Sequence, residues 1–331
     1  MMKKMKSLPF VKVMTWLTIT MASVLSFRVM AQLPDYQRVF GVSGSLLSVG
    51  SDTLAGMTTL WVEEFESIYP NVNAQVQASG SSTAPPALTE GTAHFGPMSR
   101  PMRLREIEAF EREHGYKPTV LKVAIDAIGI FVHRDNPIQG LNFQQIDSIF
   151  SVTLRCGATK SLNNWHELGL DSDWSKRKFQ LFGRNSVSGT YGYFKQNALC
   201  DGDFKKGVNE QPGSASVVQS VASSISGIGY SGVGYQVAGI KLIPIARSGD
   251  DYIYPTRKNI LNERYPLSRF LYVYVNKHPT KPLSKVQSEF IRFIFSRQGQ
   301  ELVRKDGYVP ISQSLAKQEL AKVELTLSDQ N

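Results

Sequence analysis

A chain of 331 residues, 42% hydrophobic and 20% charged, has globular composition and suits one large or two ordinary domains. Its formal charge of +9 is concentrated at the start: Lys3, Lys4, Lys6, Lys12 and Arg28 stand in the first 31 residues with no acid, so the remainder carries +4. That remainder is only mildly basic and its basic runs are short, such as "SKRKF" from Ser175 to Phe179, so a solvated face is the plainer reading and no nucleic-acid partner is expected.

The first element is a lysine-bearing start with an apolar run from Val13 to Phe27 and small residues at Val29 and Ala31 before Gln32. This reads as a cleaved secretory signal over residues 1–31; the run is too short for a membrane anchor, and Arg28 interrupts it. The expected product is a soluble, periplasmic protein beginning near Gln32. In an oxidising compartment Cys156 and Cys200 are expected to form a disulfide, and their spacing resembles no metal site.

Strands and helices then alternate. Gly44 to Gly50 reads as a buried strand, and Asp52 as the N-cap of a helix with Leu54, Met57, Trp61, Phe65 and Ile68 on one face. Asn71 to Ala78 alternates as a strand. The stretch from Ser79 to Gly91 is a Gly-Ser turn followed by prolines tolerable only in a first helical turn. Phe95 to Met102 reads as a short strand into a turn, and Leu104 to Gly115 as an amphipathic helix. Val120 to His133 and Phe270 to Lys277 are strands long enough to cross between two lobes.

Ser51-Asp52-Thr53, Ser81-Ser82-Thr83 and Ser188-Gly189-Thr190 share one pattern of strand, Gly/Ser-rich turn and helix start. Each helix start offers unpaired N–H groups, partial positive charge and hydroxyl donors, and open α/β sheets gather such ends in a cleft. Arg184, in "GRNSVSGTYGYF" from Gly183 to Phe194, adds a forked cation suited to a tetrahedral oxyanion. Taken singly, each stretch is equally a capped helix beside a surface residue.

Other chemistry fits less well. "GIGYSG" from Gly227 to Gly232 has the letters of a dinucleotide fingerprint, but a helix-like stretch precedes it and it reads as a helix-to-strand turn. "GRNSVSGT" lacks the lysine and spacing of a phosphate loop, and position 184 is not the first glycine of a serine-hydrolase elbow. "HELGL" lacks a second histidine, and the five histidines are scattered, as surface or packing residues are. No metal or cofactor is expected.

The turn "GSDTL", the stretch "GSSTAPPALTEGTAHFGPMSRPM", the crossover "VAIDAIGIFVHRDNPI", "GRNSVSGTYGYF", "ISGIGYSGVGY" and the closing "FIRFIFSRQGQELVRKDGYVPIS" together resemble the periplasmic phosphate-binding proteins, the substrate receptors of phosphate ABC transporters. The resemblance implies a two-lobed α/β periplasmic-binding-protein fold, with two α/β lobes joined by two crossing strands and phosphate in the cleft. One lobe would hold residues 32–127 and 262–331, and the other 128–261. By position, the phosphate ligands implied are Thr53, the Leu54 N–H, Ser81, Arg184 as the sole bidentate cation, Ser188, Gly189 and Thr190. Ser82, Ser99, Arg100 and Asp126 join them as candidates. Ser99, followed by Arg100, stands where the best-known members carry an aspartate that accepts the phosphate proton, and His94 departs from the usual acid before Ile/Phe-Gly. Asp126, a carboxylate inside an apolar crossing strand, is then either a hinge residue or the replacement acceptor, with Arg100 holding it ionised. The implied function is high-affinity phosphate capture by a monomeric receptor and delivery to membrane permease subunits. An exported phosphate-ester hydrolase, or a receptor for another oxyanion, is the alternative.

Overall fold

The computed structural model describes residues 33–327, so the expected signal segment lies outside the described residues. From its start the chain forms β1 (Gly44–Val49), a 3-10 turn at Asp52–Leu54, α1 (Ala55–Ile68), β2 (Val72–Gln77) and a second 3-10 turn at Ser81–Thr83. It continues through α2 (Ala84–Thr89), β3 (Phe95–Met98), α3 (Leu104–His114) and the long β4 (Thr119–His133). Next come β5 (Leu141–Asn142), α4 (Phe143–Phe150), β6 (Gln180–Arg184), α5 (Gly189–Ala198), β7 (Val208–Gln211), α6 (Ser214–Ala222) and β8 (Gly227–Gly232). Then follow β9 (Ile240–Ile243), β10 (Ile245–Ala246), α7 (Arg257–Leu261) and β11 (Ser268–Val275). Helices α8 (Lys285–Ile294), α9 (Arg297–Lys305) and α10 (Gln313–Ala321) follow last.

Local chemistry accounts for the boundaries. Leu54, Met57, Trp61 and Phe65 recur every three or four residues, so one stripe of α1 and its entry turn is buried. Trp61 is fixed further by donating from Nε1 to the Gly299 carbonyl at 2.8 Å. Pro85 and Pro86 sit in the first turn of α2, where a missing N–H loses no helical bond. "GIGYSG" is strand β8 itself rather than the turn before it, and all six of its residues are buried. Asp52 does not cap α1. It begins the 3-10 turn, and its carboxylate instead accepts from Ser214 N at 2.9 Å.

The main sheet runs β2-β1-β3-β11-β4-β8-β6-β7, with β9 also paired to β4. Strands β1, β2 and β3 are parallel, and β11 runs antiparallel between β3 and β4. On the other side β6 pairs parallel with both β7 and β8. The decisive strand is β4: its residues up to Ala127 pair with β11, whereas Ile128 to Val132 pair with β8.

Because of that change of partner, β4 serves two hydrophobic cores. The first gathers Trp61, Phe65, Leu121, Leu271, Phe290 and Val303. The second gathers Ile128, Phe150, Trp165, Phe194 and Tyr230, together with Tyr265 and Leu267 just before β11. Ile125 packs against both. The result is a two-lobed α/β architecture in which the crossing strands are as apolar as a core, and β4 is buried without interruption from Ala127 to Val132.

Cys156 and Cys200 are bonded, closing 44 residues of the second lobe. The Cys156 N–H donates to Asp147 Oδ2 at 2.8 Å, and Cys200 follows the end of α5. In the chain-entropy account a crosslink over such a loop stabilises by about 4 kcal/mol. Reduction and alkylation should therefore lower the thermal midpoint of the second lobe by several degrees, read as earlier loss of near-ultraviolet dichroism. An unchanged midpoint after complete alkylation would show that the bond does not hold this lobe together.

Candidate functional site

The turns after β1 and β2, the end of β3, and the β6–α5 turn meet at one place. Ser51 N donates to the Pro97 carbonyl at 2.8 Å, tying the first turn to β3, and Gly80 N donates to Gly50 O at 2.8 Å, tying the first turn to the second. Ser99 N donates to Ser81 Oγ at 3.0 Å, and Ser51 Oγ donates to Ser99 Oγ at 3.0 Å. Tyr308 Oη reaches the Thr53 carbonyl at 2.5 Å, and Tyr235 Oη the Asp52 carbonyl at 3.1 Å.

The second lobe closes on these groups. Thr53 Oγ1 and Thr190 Oγ1 are 2.8 Å apart, and Ser82 N donates to the Val187 carbonyl at 3.1 Å. Gly189 has to be glycine for this approach: a Cβ there would overlap Ser81 Oγ and lie 2.6 Å from Ser99 Oγ. Thr53, Ser81, Ser99, Asp126, Arg184, Ser188 and Thr190 are all buried. Ser188 Oγ accepts from Thr190 N and Tyr191 N as the cap of α5, which leaves its own hydrogen free to donate, and Leu54 N donates to Ser51 O at 3.2 Å.

Not Arg184 alone but also Arg269 and Arg100 are buried beside this cage. Arg184 Nη1 donates to Ser214 Oγ at 2.7 Å and lies 3.1 Å from Asp52 Oδ2; its Nη2 donates to the Pro212 carbonyl at 2.9 Å. Its Nε is buried with no hydrogen-bond partner. Burial pulls the Arg184 guanidinium below its ordinary value, and Asp52 opposes that pull. Arg269 sends Nε and Nη2 to Asp126 Oδ2 at 2.9 and 2.7 Å, Nη1 to the Ser99 carbonyl at 2.9 Å, and Nη2 also to Thr190 Oγ1 at 2.9 Å.

Asp126 is therefore held by Arg269, correcting the expectation that Arg100 holds it. Complete burial pushes the Asp126 carboxyl upward, and the charge and hydrogen bonds of Arg269 pull it back. Arg100 is engaged elsewhere, forked onto Glu106 at 2.7 and 2.8 Å and bonded to Ser82 Oγ at 3.1 Å. Burial raises the Glu106 carboxyl, but its bonds from Arg100 and the Arg103 N–H outweigh that and hold it below the usual carboxylate range. Arg100 and Ser82 thus pin the start of α3 to the turn before α2.

Asp52, Ser214 and Arg269 were not expected at the site. Asp52 was read as a local cap, and Ser214 opens a helix that carries no motif. Arg269 stands at the start of β11, just before the apolar run from Phe270, so it gives no signal comparable to that of Asp126 inside β4; only the register pairs the two.

The arrangement is a set of hydroxyl and guanidinium donors drawn from both lobes. His94 accepts from Leu47 N at 2.9 Å, with burial lowering its pKa, and the His114 ring lies 4.3 Å from that of Phe110. Among the described residues no cluster of three or more His, Cys, Asp or Glu could hold a metal ion. Cavities of about 450 and 400 Å³ flank the cage, one lined by Arg100, Arg103, Tyr191 and Lys195, the other by Tyr193, Ser268 and Arg269. No helix among the described residues is long and apolar enough to cross a membrane.

The PBP superfamily domain model matches residues 41–298. The chain is 58% identical over 294 residues to the phosphate-binding protein PstS of Pseudomonas aeruginosa, an alignment covering 88% of this chain and 91% of that protein. It is 27% identical over 283 residues to PstS of Staphylococcus aureus, covering 84% and 82%. Among solved structures it is similar to a putative phosphate ABC transporter substrate-binding protein with bound phosphate from Clostridium perfringens. That likeness has a TM-score of 0.69 and 23% identity over 81% of this chain and 100% of that one. A high-affinity periplasmic phosphate-binding protein, PfluDING, bound with phosphate, gives a TM-score of 0.62 at 13% identity over 84% and 93%. At such identities the structural likeness speaks for the fold.

Two predictions follow from the geometry. Gly189→Ala should fold but weaken closure, because its methyl group meets Ser81 and Ser99; small-angle scattering showing the wild-type radius in every condition would contradict this. Asp306, which accepts from the Met57 N–H at the start of α1, has its pKa pushed up to about 6, chiefly by burial. Its folded value lies above the unfolded one, so the stability it contributes is present below about pH 4 and lost as pH rises through about 6. Asp306→Asn should therefore raise the thermal midpoint at pH 8 and change it little at pH 4. The gain is at most about 1 kcal/mol once partial exposure is discounted, and an equal shift at both pH values would refute the assignment.

Proposed function

The chain belongs to the PBP superfamily and, within it, to the phosphate-binding proteins, and from that premise we propose that it is an exported receptor that captures inorganic phosphate and hands it to the permease subunits of an ABC transporter. It is a binding protein, not an enzyme. The observation that carries this reading is the meeting of Thr53 and Thr190 hydroxyls, one from each lobe, beside two buried arginines. A desolvated oxyanion needs a closed shell of donors, and charge-assisted hydrogen bonds are the strong ones.

The ligand set in this proposal is Thr53, the Leu54 N–H, Ser81, Ser99, Arg184, Ser188, Gly189 and Thr190. Asp126 acts through Arg269, while Ser82 and Arg100 shape the rim. The lobes in this proposal comprise residues 32–127 with the chain after about 262, and 128–261, closing about β4 and β11. Residues 1–31 would be removed on export, leaving a monomer in the periplasm. The charges pair off, buried Arg184 with half-buried Asp52 and buried Arg269 with buried Asp126, so binding leans on hydrogen bonds and on the unpaired edge of Arg184 rather than on net charge.

Titration calorimetry should detect tight phosphate binding and rejection of sulfate. Arg184→Ala should cost on the order of 2 to 5 kcal/mol, about 30-fold to several-thousand-fold in affinity, because it leaves a desolvated anion without its cation. Wild-type affinity in that variant would remove Arg184 from the site. Sustained turnover of a chromogenic phosphate ester would overturn the receptor reading in favour of a hydrolase.

A further inference from the structure

Resting on the phosphate-receptor reading, we propose that Arg269 is a positioning residue: its one guanidinium latches the second lobe onto the first and turns the Thr190 hydroxyl toward the cage. Arg269 lies on β11, inside the sheet of the first core, and its side chain is buried. Two of its partners belong to the same sheet: Asp126 is its register partner on β4, and the Ser99 carbonyl ends β3. These contacts, at 2.7 to 2.9 Å, hold the guanidinium in place before anything approaches from the other side. The third partner, Thr190 Oγ1 at 2.9 Å, sits in the first turn of α5, whose Phe194 belongs to the second core. The Arg269–Thr190 bond is therefore one that forms when the lobes meet.

The direction of that bond matters. A guanidinium has donors and no acceptor, so Thr190 Oγ1 accepts from it with one lone pair and its own hydrogen is turned away from Arg269. Thr53 Oγ1 lies 2.8 Å off on the other side, and either hydroxyl can donate to the other, so an anion oxygen seated between them can take the Thr190 hydrogen. Ser81 is set in the same sense, since its Oγ accepts from Ser99 N. Four of the five N–H groups of Arg269 are directed at protein oxygens, so the guanidinium is committed mainly to the protein rather than to a ligand. It acts by turning Thr190 toward the anion and by keeping Asp126 compensated behind it. A lysine could pair with Asp126, but its compact ammonium cannot span the carboxylate, the Ser99 carbonyl and the threonine hydroxyl together.

The test compares wild type, Arg269→Lys, Arg269→Gln, Thr190→Val and the double variant Arg269→Lys/Thr190→Val. Phosphate titration calorimetry is paired with small-angle scattering with and without phosphate. Arg269→Lys keeps a buried cation for Asp126, so it supplies the reading if Arg269→Gln does not fold. It should bind phosphate about tenfold or more weakly, the size of one hydrogen bond to a charged group, and contract less on adding phosphate. Thr190→Val should cost less in the Lys background than alone, because both changes remove the same bond. Wild-type affinity and full contraction in Arg269→Lys, or strictly additive losses in the double variant, would overturn the role of Arg269. A wild type that binds no phosphate would instead sink the receptor reading itself.

Discussion

A guanidinium taken out of water must be surrounded by acceptors, and two of the buried ones, Arg184 and Arg269, set the relation between the lobes. Arg184 finds its acceptors at Asp52, Ser214 and Pro212, so a side chain of the second lobe is completed by the turn after β1 in the first. Arg269 finds its own at Asp126, Ser99 and Thr190, so a side chain of the first sheet is completed by α5 in the second. Leaving either charge without partners would be far more costly than the weak preferences of individual turns. The two bridges run in opposite directions across the same cleft.

Strand β4 makes this exchange possible. It passes from the β11 ladder to the β8 ladder within one residue step, at Ala127 and Ile128, and Asp126 stands at the end of the first ladder. A carboxylate at that position adjoins both cores and faces the guanidinium of its register partner. The hydroxyl cage then follows from donors already fixed behind it: a backbone N–H behind Ser81, and Arg269 behind Thr190. Small residues do the rest, since Gly189 lets the start of α5 come against Ser81 and Ser99.

Most of the elements were legible because their signals are local. The three-and-four spacing of Leu54, Met57, Trp61 and Phe65, the prolines opening α2, and the apolar run of β4 after Asp126 each need only neighbours in sequence to be read. The resemblance to phosphate receptors likewise rested on turns whose hydroxyl and glycine residues are close in the chain. Asp52 was misread for the same reason: an acid before a helix looks like a cap when only its neighbours are in view.

The sequence by itself singled out Asp126, a carboxylate in an apolar crossing strand, and Arg184, a guanidinium before a helix start; it did not single out Arg269, because the apolar run of the second crossing strand begins only at Phe270. It did not determine how they pair. Arg100 and Arg269 are both arginines close in chain or sheet to Asp126, yet Glu106 takes the first and Asp126 the second. That choice is made by strand register, which sets Arg269 opposite Asp126, and by the first turn of α3, which brings Glu106 under Arg100. Burial penalises every unpaired charge without regard to sequence distance, so only the folded chain, with both lobes in contact, decides which charge neutralises which.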